Sequence, residues 1–176
     1  MTQKKIIEKL HVVFSDVEKT IQLFPEHEFF KRPVTNKWCA AEHAEHLFLA
    51  VRPLAGLFGK PETIAEKWGA SNRDSRSYDT LVALYLEKIG AVGPGLPDYT
   101  PGAMTELKRE LADKLKAINN LLLIRASLFT EQELDAYQVP HPVIGMLTCR
   151  EFLYFTHYHT TRHGNTMKQL MSEGVS

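Results

Sequence analysis

Four stretches of this chain repeat apolar residues at steps of three and four, and none alternates them convincingly at steps of two. That pattern buries one stripe of a helix and has no use for a sheet face. The first stretch covers about Lys4 to Phe24, with Ile6, Leu10, Val13, Val17, Ile21 and Phe24 on one face, and Pro25 stops it. Glu26 to Lys37 holds Pro33 and no helical period, and reads as a loop. The second stretch opens near Trp38 and runs to about Phe58, with Cys39, Glu42, His46, Ala50, Pro53 and Leu57 on one stripe. Pro53 is expected to kink or shorten it, and Gly59 and Pro61 end it.

The third stretch is read from about Pro101 to Leu128, with a stripe of Met104, Leu107, Leu111, Leu115, Ile118 and Leu122. Thr100 is its expected N-cap, with Pro101 at the first helical position. Thr130 and Glu133 have capping-box spacing for a short turn beyond it. The fourth begins after the loop His141-Pro142-Val143-Ile144-Gly145 and runs to about Met171. Thr148 and Glu151 are spaced as a capping box, and Gly174 closes it. Residues 59–102 are the least regular part, rich in Gly and Pro (Gly59, Gly69, Gly90, Gly93, Gly95 and Gly102; Pro61, Pro94, Pro97 and Pro101). Two short helical pieces are expected there, about Glu62 to Trp68 and Tyr78 to Ile89, and a connection this long usually covers something. The expected fold is an all-α four-helix bundle, one domain over residues 1–176, with a long, partly helical connection between helices two and three.

Charge narrows the function classes. Lys and Arg number 21, as do Asp and Glu, so there is no electrostatic footprint for nucleic acid. No apolar run reaches about 18 residues, the length that would cross a membrane. Met1 to Phe14 alternates Lys with apolar residues and offers no secretory apolar core. Cys39 and Cys149 do not make a disulfide framework, and each reads as a buried small hydrophobe. A reduced, cytoplasmic protein is expected.

The unusual count is eight histidines. His159 and His163 are four apart, so they lie about 40° apart on the helix surface. Phe152, Phe155, Thr166 and Leu170 share their side, so both imidazoles should point into the bundle, whereas His157 must point elsewhere. Random placement of eight histidines gives roughly 0.36 such pairs, so spacing alone is a weak motif. Direction carries more: neutral imidazoles side by side in a core need partners, and a metal ion is an economical one. His46, on the helix-two stripe, is the third candidate. His43 sits about 60° away on that helix and reads as an exposed or boundary residue. Glu42, four before His46, is read either as a carboxylate orienting its ring or as a solvated acid near a helix N-terminus. His141 is either a structural turn residue or a site residue, and Arg162 either a surface residue or a partner for an anionic substrate group.

These residues carry a resemblance. Trp38 to Leu47, with a Trp eight positions before a His-Leu pair, resembles the second-helix pattern of DinB-like (YfiT-like) proteins. His141-Pro-Val-Ile-Gly145 through Glu151-Phe-Leu, followed by His159 and His163, resembles the fourth-helix approach and body in the same superfamily. The resemblance covers nearly the whole chain. It implies a four-helix bundle holding a divalent metal, nickel or zinc, on three histidines; by motif these are His46, His159 and His163. It also implies a homodimer, and either a metal-dependent hydrolase or a transferase that uses a low-molecular-weight thiol. A polar residue that often follows the last metal histidine is not matched, since the chain reads Gly164-Asn165-Thr166-Met167 there, with Gln169 later.

The expected function is therefore that of a metal-dependent enzyme acting on a small molecule, with neither nucleic acid nor membrane as partner. The alternative is a non-catalytic binding or dimerisation module with a structural or vestigial metal site, which a fourth ligand such as Cys39 or His43 would favour. Redox sensing through Cys39 or Cys149 would need an exposed thiol of low pKa.

Overall fold

The first helix, α1 (Gln3–Leu23), starts where the Thr2 hydroxyl accepts from the Lys5 N–H and ends before Pro25. It buries Ile6, Leu10, Val13, Val17 and Ile21, the stripe its spacing predicts. The computed structural model describes residues 1–33, 37–92, 97–103 and 105–174. Met104, Gly93, Pro94 and Gly95 of the sequence reading lie outside them. The segment read as a loop after Pro25 carries one short helix, α2 (Glu26–Phe29), which buries Phe29.

Helix α3 (Ala40–Phe58) runs unbroken through Pro53 instead of being shortened there. Pro53 is exposed, so neither its ring nor its missing N–H disturbs the core. The side packed against other helices is Ala44, Leu47, Val51, Leu54, Ala55 and Phe58, not the expected stripe through Ala50, Pro53 and Leu57. Two short helices, α4 (Pro61–Trp68) and α5 (Tyr78–Val92), follow as expected, then a single 3-10 turn, Pro97–Tyr99.

Helix α6 (Lys108–Ala126) begins later than the Thr100–Pro101 cap predicts. Its start is set by Glu110, whose carboxylate accepts the Leu107 N–H at 3.0 Å. The chain before it is committed elsewhere, because Tyr99 reaches the candidate site described below. The Thr130–Glu133 box opens α7 (Glu131–Ala136).

Strands β1 (Gln138–His141) and β2 (Gly145–Thr148) form an antiparallel hairpin where the sequence reading has a loop and no strand. Only β1 alternates, with Val139 and His141 buried and Pro140 facing out; β2 exposes Gly145 and Met146 and buries Leu147 and Thr148. Gly145, at φ +83°, supplies the left-handed residue that the turn needs. The hairpin runs directly into α8 (Cys149–Gly174), whose start is held by the expected box: Thr148 N–H to Glu151 at 2.9 Å, Glu151 N–H to the Thr148 hydroxyl at 3.2 Å.

The long helices make a ring in which α1 packs on α6 and α8, and α3 on the same two. The protein is mostly helical, an all-α bundle with one small hairpin. Among the described residues no helix is long and apolar enough to cross a membrane.

Candidate metal centre

Three imidazoles converge between α3 and α8. His46 comes from α3; His159 and His163 come from successive turns of α8. Each offers one nitrogen, and the three lie within 4.8 Å of one another. His159 Nε2 is 3.0 Å from His46 Nε2 and 3.2 Å from His163 Nε2.

Hydrogen bonding within this cluster does not close. His46 Nδ1 stands 2.6 Å from the Tyr99 carbonyl oxygen, which only accepts, so Nδ1 carries the proton and the neutral ring presents a lone pair at Nε2. His163 Nδ1 faces His43 Nδ1 at 2.8 Å; when His163 donates there, its Nε2 is also a bare lone pair. A proton on His159 Nε2 can serve one of these lone pairs well, not both. Burial holds His46, His159 and His163 below the ordinary imidazole pKa, the last two well below it, which keeps lone pairs available at neutral pH. A cation meets all three at once. Ligands about 2.0–2.1 Å from a common ion stand about 2.8–3.4 Å apart in octahedral or tetrahedral arrangement, and both separations from His159 fall in that range. The residues fit a divalent metal.

The surroundings correct several expectations. His43 is buried, not a boundary residue; it packs against Trp38 at 5.5 Å and pairs with His163. Burial pushes its pKa down to about 4. Trp38 also lies 4.9 Å from the His46 ring and 6.3 Å from His163, roofing the cluster. Glu42 does not orient His46, nor is it solvated. Its carboxylate accepts from the Arg32 guanidinium and, at 2.9 Å, from the Cys39 N–H, so it caps α3. Burial works against its charge, but those bonds win and hold its pKa below the usual range. The ring of His46 is oriented instead by the Tyr99 backbone, which no side-chain pattern announces. Cys39 and Cys149 are buried, with burial raising both thiols, Cys149 to about 12. His157 points away, to the Tyr78 hydroxyl at 3.0 Å.

The cluster opens on a cavity of about 810 Å³. Its walls are mostly apolar. Ala50, Pro53 and Leu57 come from α3; Phe152, Phe155 and Leu170 come from α8. The stripes read as core-facing thus face this cavity. The long connection adds Trp68, Tyr85, Ile89 and Tyr99, and the hairpin adds Val139 to Val143. The connection is fixed to α8 by Arg73, which donates twice to Glu151 at 2.7 Å, and by the Arg76 N–H at 2.7 Å. Glu151 is fully buried, so it is more than the cap its spacing suggests.

A family model described as the DinB superfamily matches residues 9–167. No curated protein and no solved structure matches the chain.

Proposed function

The chain belongs to the DinB superfamily, and from that premise we propose that it is a metal-dependent enzyme whose divalent ion is held by His46, His159 and His163. The observation that carries this reading is the convergence of three Nε2 atoms on one point of a large, mostly apolar cavity. Bound there, the ion supplies Lewis acidity, which lowers the pKa of a coordinated water or substrate thiol.

The chain's own residues do the rest. The Tyr99 carbonyl holds the His46 proton at Nδ1 and so keeps Nε2 as a donor atom. His43 does the same for His163. Trp38, Phe155 and Leu57 give the approach apolar walls. No fourth ligand is presented among the described residues: His43 faces the edge of His163 remote from the cluster, and Cys39 is buried at the α3 cap. This supports an open, catalytic site over a closed structural one.

Between the two chemistries, a low-molecular-weight thiol transferase is the better reading. Hydrolysis calls for a base beside the attacking water, and no Asp or Glu is among the described residues lining the cavity. A thiol needs only to lose its proton on binding. The ion is zinc or nickel, and the protein acts as a homodimer on a small molecule.

The test is metal content by inductively coupled plasma mass spectrometry, on untagged protein prepared without chelator, beside a His159→Ala, His163→Ala double variant. Near-stoichiometric metal that the variant loses is expected, with thiol addition to a chromogenic electrophile lost in parallel. Absence of metal, with no stabilisation on adding zinc or nickel, overturns the reading. Metal-dependent ester hydrolysis without thiol transfer leaves the hydrolase version standing.

A further inference from the structure

The cavity holds other polar groups besides the three histidines of the cluster. His141, at the end of β1, is 7% exposed and lines the cavity. Its Nδ1 accepts the N–H groups of Val143 at 3.1 Å and Ile144 at 3.2 Å. An atom accepting two N–H bonds carries no proton, so the ring's proton sits on Nε2. Nε2 has no protein partner among the described residues. Burial keeps the ring neutral by lowering its pKa to about 4.

Two more donors stand at the same wall. The His141 and Tyr85 rings are 6.3 Å apart, and both pack on Phe155, at 4.3 Å and 5.1 Å. Arg162 lines the cavity with Tyr85, and burial, outweighing the nearby Arg162 charge, keeps the Tyr85 hydroxyl protonated and able to donate. Arg162 has no ion-pair partner among the described residues, and no Asp or Glu there lines the cavity. Phe155 in turn stacks on His159 at 5.0 Å, which puts this wall next to the histidine cluster.

We propose that His141, Tyr85 and Arg162 form an anion subsite of the cavity, built to take the carboxylate of a ligand whose body is apolar. At this wall two neutral donors and one cation without an ion pair face a volume lined, apart from the histidine cluster, Lys37 and Thr166, mostly by aliphatic and aromatic side chains. That arrangement favours a compact oxyanion at one end and hydrocarbon along the rest. The subsite shares the cavity with the histidine cluster but does not depend on an ion there.

The test is isothermal titration calorimetry of 4-phenylbutyrate and of 4-phenylbutanol, which share an apolar body, against chelator-treated and zinc-loaded wild-type protein. In chelator-treated protein the acid is expected to bind about fivefold or more tightly than the alcohol. Arg162→Met, Tyr85→Phe and His141→Asn should each weaken the acid about three- to tenfold, the size of one charge-assisted bond, and leave the alcohol within about twofold. His141→Asn keeps an acceptor for the Val143 and Ile144 N–H groups while removing the Nε2 donor, so it separates binding from support of the turn. Arg162 is exposed, so its variant tests the idea even where the others unfold. Equal binding of acid and alcohol, no binding of either at millimolar concentration, or variants that bind the acid as wild type does would overturn the subsite. Acid binding that requires zinc also overturns it, because the carboxylate then goes to the ion, and the metal reading survives.

Discussion

If the three imidazoles are assembled for a cation, the ion must stabilise the fold, and removing one ligand must abolish that effect without harming the metal-free protein. The perturbation is His159→Leu, with zinc added at about one hundred times its dissociation constant. An ion that binds only the folded chain at that excess contributes about 2.7 kcal/mol. For a chain of this length each kcal/mol moves the midpoint by about 2–4 °C, so wild type should rise by about 5–11 °C. His159 is buried, stacked on Phe155, and its Nε2 meets only other histidines. An apolar side chain of similar size removes that polar group without stranding a backbone partner. The metal-free variant should therefore stay within about 1 kcal/mol of metal-free wild type. The assay is thermal unfolding followed by far-UV circular dichroism, with and without zinc. A wild-type midpoint indifferent to zinc and nickel would refute the reasoning. So would a variant that responds to zinc as wild type does, because the ion would then sit elsewhere.

Other perturbations test the frame that holds the site. Glu151→Gln should cost about 3 kcal/mol in urea unfolding, because it leaves Arg73 and Arg76 facing a neutral group in a buried place; a loss of only about 1 kcal/mol would mean that capping is all Glu151 does. Gly164→Ala should destabilise by about 1–2 kcal/mol although alanine is the better helix former, since its Cβ would stand 2.9 Å from Val17 Cγ2 where α1 crosses α8; a gain in stability would show that Val17 yields. His141 binds a proton near pH 6.5 when unfolded but only near about 4 when folded. Stability should therefore be full above about pH 6.5 and fall as pH drops towards about 4, by about 3 kcal/mol from this residue. His141→Asn should flatten that part of the profile, and an unchanged slope in urea midpoints between pH 4 and 7 would contradict the assignment.

Local chemistry made much of the fold legible before any packing was known. The α1 stripe, the Thr130–Glu133 and Thr148–Glu151 boxes, and the positions of α4 and α5 rest on spacing within a few residues, which sequence displays directly. The start of α6 differs from the Thr100–Pro101 cap because, although those residues have good capping chemistry, Glu110 competes and Tyr99 is held at the site. The hairpin escaped because strands of four residues are too short for alternation to stand out. For the candidate site, the grouping of His46, His159 and His163 was readable from helical spacing and resemblance, and the structure brings the three together.

The sequence by itself determined where the long helices lie, apart from the start of α6, and which histidines share a helix face, because turns and caps close over three or four positions. It did not determine what each face meets. Ala50, Pro53, Leu57 and Phe152 are as apolar as core residues, and only the arrangement of α3, α8, the connection and the hairpin leaves a cavity in front of them. The burial of His43, the Tyr99 carbonyl on His46 and the Arg73 grip on Glu151 likewise join residues 53 to 120 positions apart. Such contacts exist only once the chain is folded. A periodic pattern encodes that a face is apolar, whereas tertiary packing decides whether it is filled by protein or left open for a ligand.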